Sequence, residues 1–179
     1  MVALTKEVLP AIIASDQAGL DEMLDRVKDF AGNIMLDLMD GKLVQASSLD
    51  FPMRLPEGPR YQFHVMAVDP IQRLMDAPDE VDTVVLHAET LDDIGEAIEA
   101  ARERKVKLFI ALNPETPVSV LEPYLDTLDG VLIMSVHPGQ YGAKFLPEQL
   151  DKVREIRQKS ETITIEVDGG MNDKTMGAA

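Results

Sequence analysis

The 179-residue chain predicts an α/β protein built as a parallel (β/α) barrel in one domain spanning residues 1–179. Two observations carry that expectation. Short runs that are apolar on both faces alternate along the chain with charged, amphipathic stretches, as in a parallel sheet covered by helices. Seven such runs in so short a chain favour a barrel over an open doubly wound sheet. The open sheet stays possible on pattern alone, although no G-x-G-x-x-G follows the first run.

The runs that read as strands are Val8 to Ile13, Ile34 to Met39, Tyr61 to Met66, Thr83 to His87, Lys107 to Leu112, Val131 to Val136 and Thr162 to Val167. Helical spacing joins Leu20, Met23, Leu24, Val27 and Phe30, then Leu91, Ile94, Ile98 and Ala101, then Leu150, Val153 and Ile156. A closed barrel needs eight strands, so the eighth is expected to be missing. The edges of the first and seventh strands would then be unpaired, which favours association.

Composition narrows the partners. Net charge is −15, from 17 basic and 32 acidic residues, which disfavours nucleic acid and anionic membranes. No apolar run approaches the ~18 residues of a membrane span, and the N-terminus has no signal-peptide pattern. Cysteine is absent, so neither disulfides nor thiolate chemistry enter. A cytoplasmic location fits. An anionic substrate would have to be held by local backbone N–H groups rather than by the overall field.

Ionisable residues inside or at the ends of apolar strands are the informative signal, because a buried carboxylate without a partner is costly. Asp37 lies within Ile34–Met39, and Asp168 ends Thr164-Ile165-Glu166-Val167-Asp168. The three histidines, His64, His87 and His137, each fall near a strand end. In a barrel those C-terminal ends form the active face. Taken singly each group reads as a satisfied core or rim residue, and His87 keeps that reading. Taken together, Asp37, His64 and Asp168 make a carboxylate–imidazole metal site plausible, of a kind that suits Zn²⁺, Mn²⁺ or Fe²⁺. Glycine loops follow two late strands, at Gly139 and Gly142 and at Gly169 and Gly170, where backbone N–H groups could approach an anion. Met39, Met66 and Met134 near the strand ends read first as adaptable core filler.

These segments resemble a known family. Leu36-Asp37-Leu38-Met39-Asp40-Gly41, Phe63-His64-Val65-Met66 and Leu86-His87-Ala88-Glu89 are similar to successive strand motifs of ribulose-phosphate 3-epimerases. So are Leu112-Asn113-Pro114-Glu115-Thr116-Pro117, the run Val131 to Val136 followed by Pro138-Gly139, and Ile165-Glu166-Val167-Asp168-Gly169-Gly170. The matches come in family order along essentially the whole chain.

The resemblance implies a TIM-type (β/α)₈ barrel and interconversion of ribulose 5-phosphate and xylulose 5-phosphate. It implies a divalent metal ion (Zn²⁺, Mn²⁺ or Fe²⁺), with Asp37, His64 and Asp168 among its ligands. Asp37 and Asp168 would also be the acid/base pair. Met39, Met66 and Met134 would crowd the reaction centre, and Gly139, Gly142, Gly169 and Gly170 would belong to the phosphate loops. A homo-oligomer is implied as well.

The chain departs from the family pattern in several places. The family's other metal histidine, two residues before the strand-two aspartate, is replaced by Met35, a soft and weak ligand. Ala11 stands where the family usually has serine, and the loop at His137 and Tyr141-Gly142 is altered. His137 or His87 is a candidate substitute ligand. The departures leave two alternatives: a catalytically impaired homologue that binds a sugar phosphate or a partner, and a 3-epimerase for a hexulose 6-phosphate such as allulose 6-phosphate.

Overall fold

The computed structural model describes residues 6–137 and 143–177. Eight strands form one sheet: β1 (Ala11–Ile12), β2 (Asn33–Asp40), β3 (Ser47–Ser48), β4 (Arg60–Met66), β5 (Val81–His87), β6 (Lys107–Leu112), β7 (Gly130–Met134) and β8 (Thr164–Asp168). Their order is β1-β2-β4-β5-β6-β7-β8, every neighbouring pair parallel, with β3 antiparallel to β2. Helices α1 (Gln17–Val27), α2 (Pro70–Met75), α3 (Ile94–Arg104) and α4 (Leu150–Lys159) fall between them.

The sheet is curled rather than open and flat. Four strand spacings separate β4 from β8, which would be about 19 Å in a flat sheet. Yet Gln62 Nε2 on β4 donates to Glu166 Oε2 on β8 at 2.5 Å. The seven parallel strands are therefore the wall of a TIM-type barrel, with β1 and β8 at its two ends.

Two apolar cores follow from the pleat. Ile34, Leu36 and Leu38 point outward with Phe63, Val65, Val84, Leu86, Ile110 and Val131 to meet Leu20, Leu24, Ala97 and Ile98 of the helices. Met35, Val85, Phe109, Ala111, Leu132, Met134 and Val136 fill the inside.

Helix ends have local causes. Asp16 caps α1 by accepting from Gly19 N at 2.8 Å, and Asp93 caps α3 through Gly95 N at 2.7 Å. Lys105 ends α3 in the left-handed conformation at φ 60°.

Several boundaries differ from expectation. The first strand pairs only over Ala11–Ile12, because Pro10 has no N–H to donate; its carbonyl accepts from Met35 N instead, at 3.0 Å. Val8 is exposed. Phe30 lies beyond α1 and is 74% exposed, so its helical spacing did not mark a core position. Between β6 and β7 the chain takes two short 3₁₀ turns, Val118–Val120 and Glu122–Tyr124.

Candidate active site

Strand register sets the site. Asp37 and His64 are direct neighbours across β2 and β4, and Asp168 ends β8 opposite Met134 of β7. Each lies two residues beyond an inward-facing partner: Met35, Gln62 and Glu166 respectively. The side-chain period of two puts all six on the inner face, with the ionisable trio one pleat nearer the C-terminal ends.

His64 is fully buried, and its Nδ1 sits 3.2 Å from Asp37 Oδ1 and 3.9 Å from Asp168 Oδ2. Burial works against charge on the ring, but the bond to Asp37 and the nearby carboxylates outweigh it and raise the His64 pKa. Asp168 is pushed upward, first by burial and then by the Asp37 carboxylate, against the opposing pull of His64. Beneath them, burial carries Glu166 up to about 7, although the Gln62 amide and His64 favour its ionised form.

His87 is 1% exposed and satisfied at both ring nitrogens. Its Nε2 is 2.9 Å from His64 Nε2, and its Nδ1 is 3.1 Å from Asn113 Oδ1. This agrees with its reading as a core histidine. Glu89 Oε2 lies 3.6 Å from the same Nδ1. Burial would raise the Glu89 pKa, but bonds from His87, Thr116 and the Asn113 N–H hold it at about 2.

The remaining candidates divide. Met39 and Met66 are aligned neighbours, buried with Val44, while Met134 belongs to the inner core. His137 is half exposed and its Nδ1 pairs with Glu115 at 3.1 Å. Gly139 and Gly142 lie outside the described residues. Gly169 and Gly170 take φ of +103° and +67°, and a Cβ on Gly169 would come within 2.3 Å of Val136. The Ser135 hydroxyl ties this turn down, its one hydrogen shared between the carbonyls of Asp168 (2.9 Å) and Gly169 (2.7 Å). Sequence reading had not singled out Glu166, Gln62, Glu89 or Ser135. Glu166 and Gln62 carried a signal, each being polar on the inner face two residues before a site residue.

Among the described residues no group of three or more His, Cys, Asp or Glu side chains is arranged as a metal site. The donors still suit a divalent ion in kind: one imidazole and two carboxylates, enough for a catalytic site with an open position. Ligand–ligand separations around a tetrahedral zinc ion are about 3.4 Å, and the 3.2 and 3.9 Å contacts of His64 bracket that value.

A curled parallel sheet that gathers carboxylates and imidazoles at the C-terminal ends of its strands has the layout of a barrel enzyme. The model of the ribulose-phosphate 3 epimerase family matches residues 7–179, and the chain belongs to that family. It is 33% identical over 184 residues to ribulose-phosphate 3-epimerase of Schizosaccharomyces pombe, covering 97% of this chain and 80% of that one. The Bacillus subtilis enzyme of the same name is 34% identical, covering 94% and 83%; that of Escherichia coli K12 is 31% identical, covering 95% and 80%. These relatives are named as epimerases, which are isomerases. Among solved structures, a chain from the tryptophan synthase α2β2 complex of Pyrococcus furiosus matches with TM-score 0.55 at 20% identity, covering 95% of this chain and 89% of that one. That likeness concerns the fold alone. No helix of the described residues is long and apolar enough to cross a membrane.

Proposed function

We propose that this chain interconverts ribulose 5-phosphate and xylulose 5-phosphate, using Asp37 and Asp168 as the acid/base pair. The observation that carries the reading is the convergence of both carboxylates on one fully buried imidazole, at 3.2 and 3.9 Å. Epimerisation removes the proton on the carbon beside the ketone and returns one from the opposite face. It therefore needs two proton-transfer groups, one ionised and one protonated. Burial first, then the Asp37 carboxylate, shifts Asp168 upward, the direction that favours an acid in the pair.

Asp37, His64 and Asp168 would hold a divalent ion, which would offset the negative charge that develops on the substrate oxygens as the proton leaves. Met39, Met66 and Met134 would border the carbon skeleton and keep water from the enediolate. Gly169 and Gly170, with Gly139 and Gly142, would offer backbone N–H groups to the phosphate.

The test is turnover of ribulose 5-phosphate in deuterated water by Mn²⁺-, Zn²⁺- or Fe²⁺-supplied protein. Xylulose 5-phosphate carrying deuterium at carbon 3 is expected. Neither product nor exchange, from folded protein, would shift the assignment to an impaired, ligand-binding homologue or to a hexulose-phosphate enzyme.

Met35 bears on metal affinity. It is 5% exposed, lies on the same face as Asp37, and is flanked in register by Ala11 and Gln62. Met35→His would add an imidazole one pleat below Asp37, and zinc is expected to bind more tightly by calorimetry. Unchanged affinity would mean that a fourth ligand at this position has no reach to the ion.

A further inference from the structure

We propose that His87 and Glu89 are positioning residues for His64, fixing which of its ring nitrogens carries a proton and so presenting Nδ1 as the ion-binding atom. The inference rests on the reading of Asp37, His64 and Asp168 as the ion site. Neither His87 nor Glu89 belongs to that ligand set.

The two histidine rings lie nearly parallel, 13° apart, with centroids 5.0 Å apart and their Nε2 atoms 2.9 Å apart. Two ring nitrogens so close can share only one hydrogen. If both carried one the hydrogens would collide, and if neither did two lone pairs would face each other in a buried space. Whichever ring donates therefore dictates the tautomer of the other.

The choice is made at the far side of His87. Its Nδ1 faces Asn113 Oδ1 at 3.1 Å and Glu89 Oε2 at 3.6 Å. An asparagine amide can turn to offer either a donor or an acceptor, but an ionised carboxylate only accepts. Glu89 is fixed in place because its other oxygen accepts from Asn113 N at 2.9 Å and from the Thr116 hydroxyl. Its charge therefore places a hydrogen on His87 Nδ1.

For a neutral His87 the Nε2 is then bare, and the shared hydrogen belongs to His64 Nε2. In neutral His64 this leaves the Nδ1 lone pair facing Asp37 and Asp168, which is what an ion held between those carboxylates requires. Metal-bound imidazoles are commonly oriented by a partner on the second nitrogen. Here that partner is a second imidazole, itself oriented by a carboxylate. Both nitrogens of His87 are used in this way, so it orients a ligand rather than replacing the one lost at Met35.

The test uses the whole chain labelled with ¹⁵N-histidine and titrated with Zn²⁺. Two-bond ¹⁵N–¹H correlations of the zinc-loaded wild type should place the His64 proton on Nε2 and zinc on Nδ1. Coordination through Nε2 would overturn the proposal without any variant being needed. Glu89→Gln keeps an acceptor for Asn113 N and Thr116 but turns an amide NH₂ toward His87. The preferred tautomer of both rings reverses, and zinc affinity should fall about 10- to 100-fold. Asn113→Asp keeps an acceptor at His87 Nδ1, so its zinc affinity should stay well above that of Glu89→Gln; an equal fall in both variants would overturn the role given to the carboxylate's charge. Zinc binding that is lost in Asp37→Asn but unaltered in Glu89→Gln would sink the positioning role and leave the ion site standing. A wild type that takes up no zinc would overturn both readings.

Discussion

Asp168→Asn should lower turnover of ribulose 5-phosphate by about 10²- to 10⁴-fold, the usual contribution of a positioned proton-transfer group. That corresponds to about 3–5 kcal/mol of transition-state stabilisation. The change is close to isosteric, and what holds the residue in place survives it. Ser135 N and Oγ both donate to the Asp168 backbone carbonyl, at 2.7 and 2.9 Å, and neither bond involves the side chain. What is lost is the ability to take or give a proton on one face of the substrate, together with one carboxylate of the proposed ion site, so turnover is compared at saturating metal. The loss should appear in kcat, with deuterium exchange at carbon 3 falling in step with product. Stability should not fall, because the variant removes a carboxyl whose ionisation burial already opposes. A drop of less than about tenfold would take Asp168 out of the acid/base pair, since that is below the range for such groups. Asp37→Asn is the matching experiment for the other face.

The middle of the sheet was legible because β4 to β7 are buried on both sides. Apolar runs such as Val131–Val136 and Lys107–Leu112 have no polar face to confuse with a helix; the second falls where expected, and the first is a strand over Gly130–Met134, two residues short of the expected end. What escaped was short or punctuated by proline. Helix α2 has six residues and begins at Pro70, too few turns to display a period. Strand β3 is a two-residue pairing of serines, without an apolar signal of any kind. At the site, Asp37, His64 and Asp168 stood out because charge inside an apolar strand demands an explanation, and the structure brings the three together. The His64–His87 contact could not be read in the same way. It depends on the register of β4 against β5 and on where two rings point at a barrel rim, and neither is a property of local sequence. The same holds for Gln62 and Glu166: spacing places them on the inner face, but only the curl of the sheet joins strands that are four positions apart.

That inner pair makes the stability of the metal-free protein depend on pH, and Glu166→Gln should remove the dependence. Glu166 has an ordinary carboxyl value of 4.5 when unfolded and about 7 when folded, because burial inside the barrel opposes its charge. Between those two values the folded protein binds a proton that the unfolded chain has released. Raising pH through that window therefore favours unfolding. The contribution is absent below pH 4.5, grows between 4.5 and 7, and is complete above 7. At about 1.4 kcal/mol per unit it amounts to about 3 kcal/mol. In Glu166→Gln the amide oxygen can still accept from Gln62 Nε2, which now donates at 2.5 Å to the carboxylate, so the cross-barrel bond persists without the charge. Urea unfolding at pH 5 and pH 8 separates the outcomes. Other groups titrate over the same range, so the informative quantity is the difference between variant and wild type. The variant should gain about 2.5 kcal/mol relative to wild type on going from the lower to the higher pH, because part of the effect is already present at pH 5. Parallel profiles would mean that water or a rearranged Gln62 solvates Glu166, and that the inner layer is wetter than its burial implies. A gain that vanishes when zinc is added would instead tie the unfavourable charge to the carboxylates of Asp37 and Asp168 above it, because a bound cation offsets repulsion among Glu166, Asp168 and Asp37.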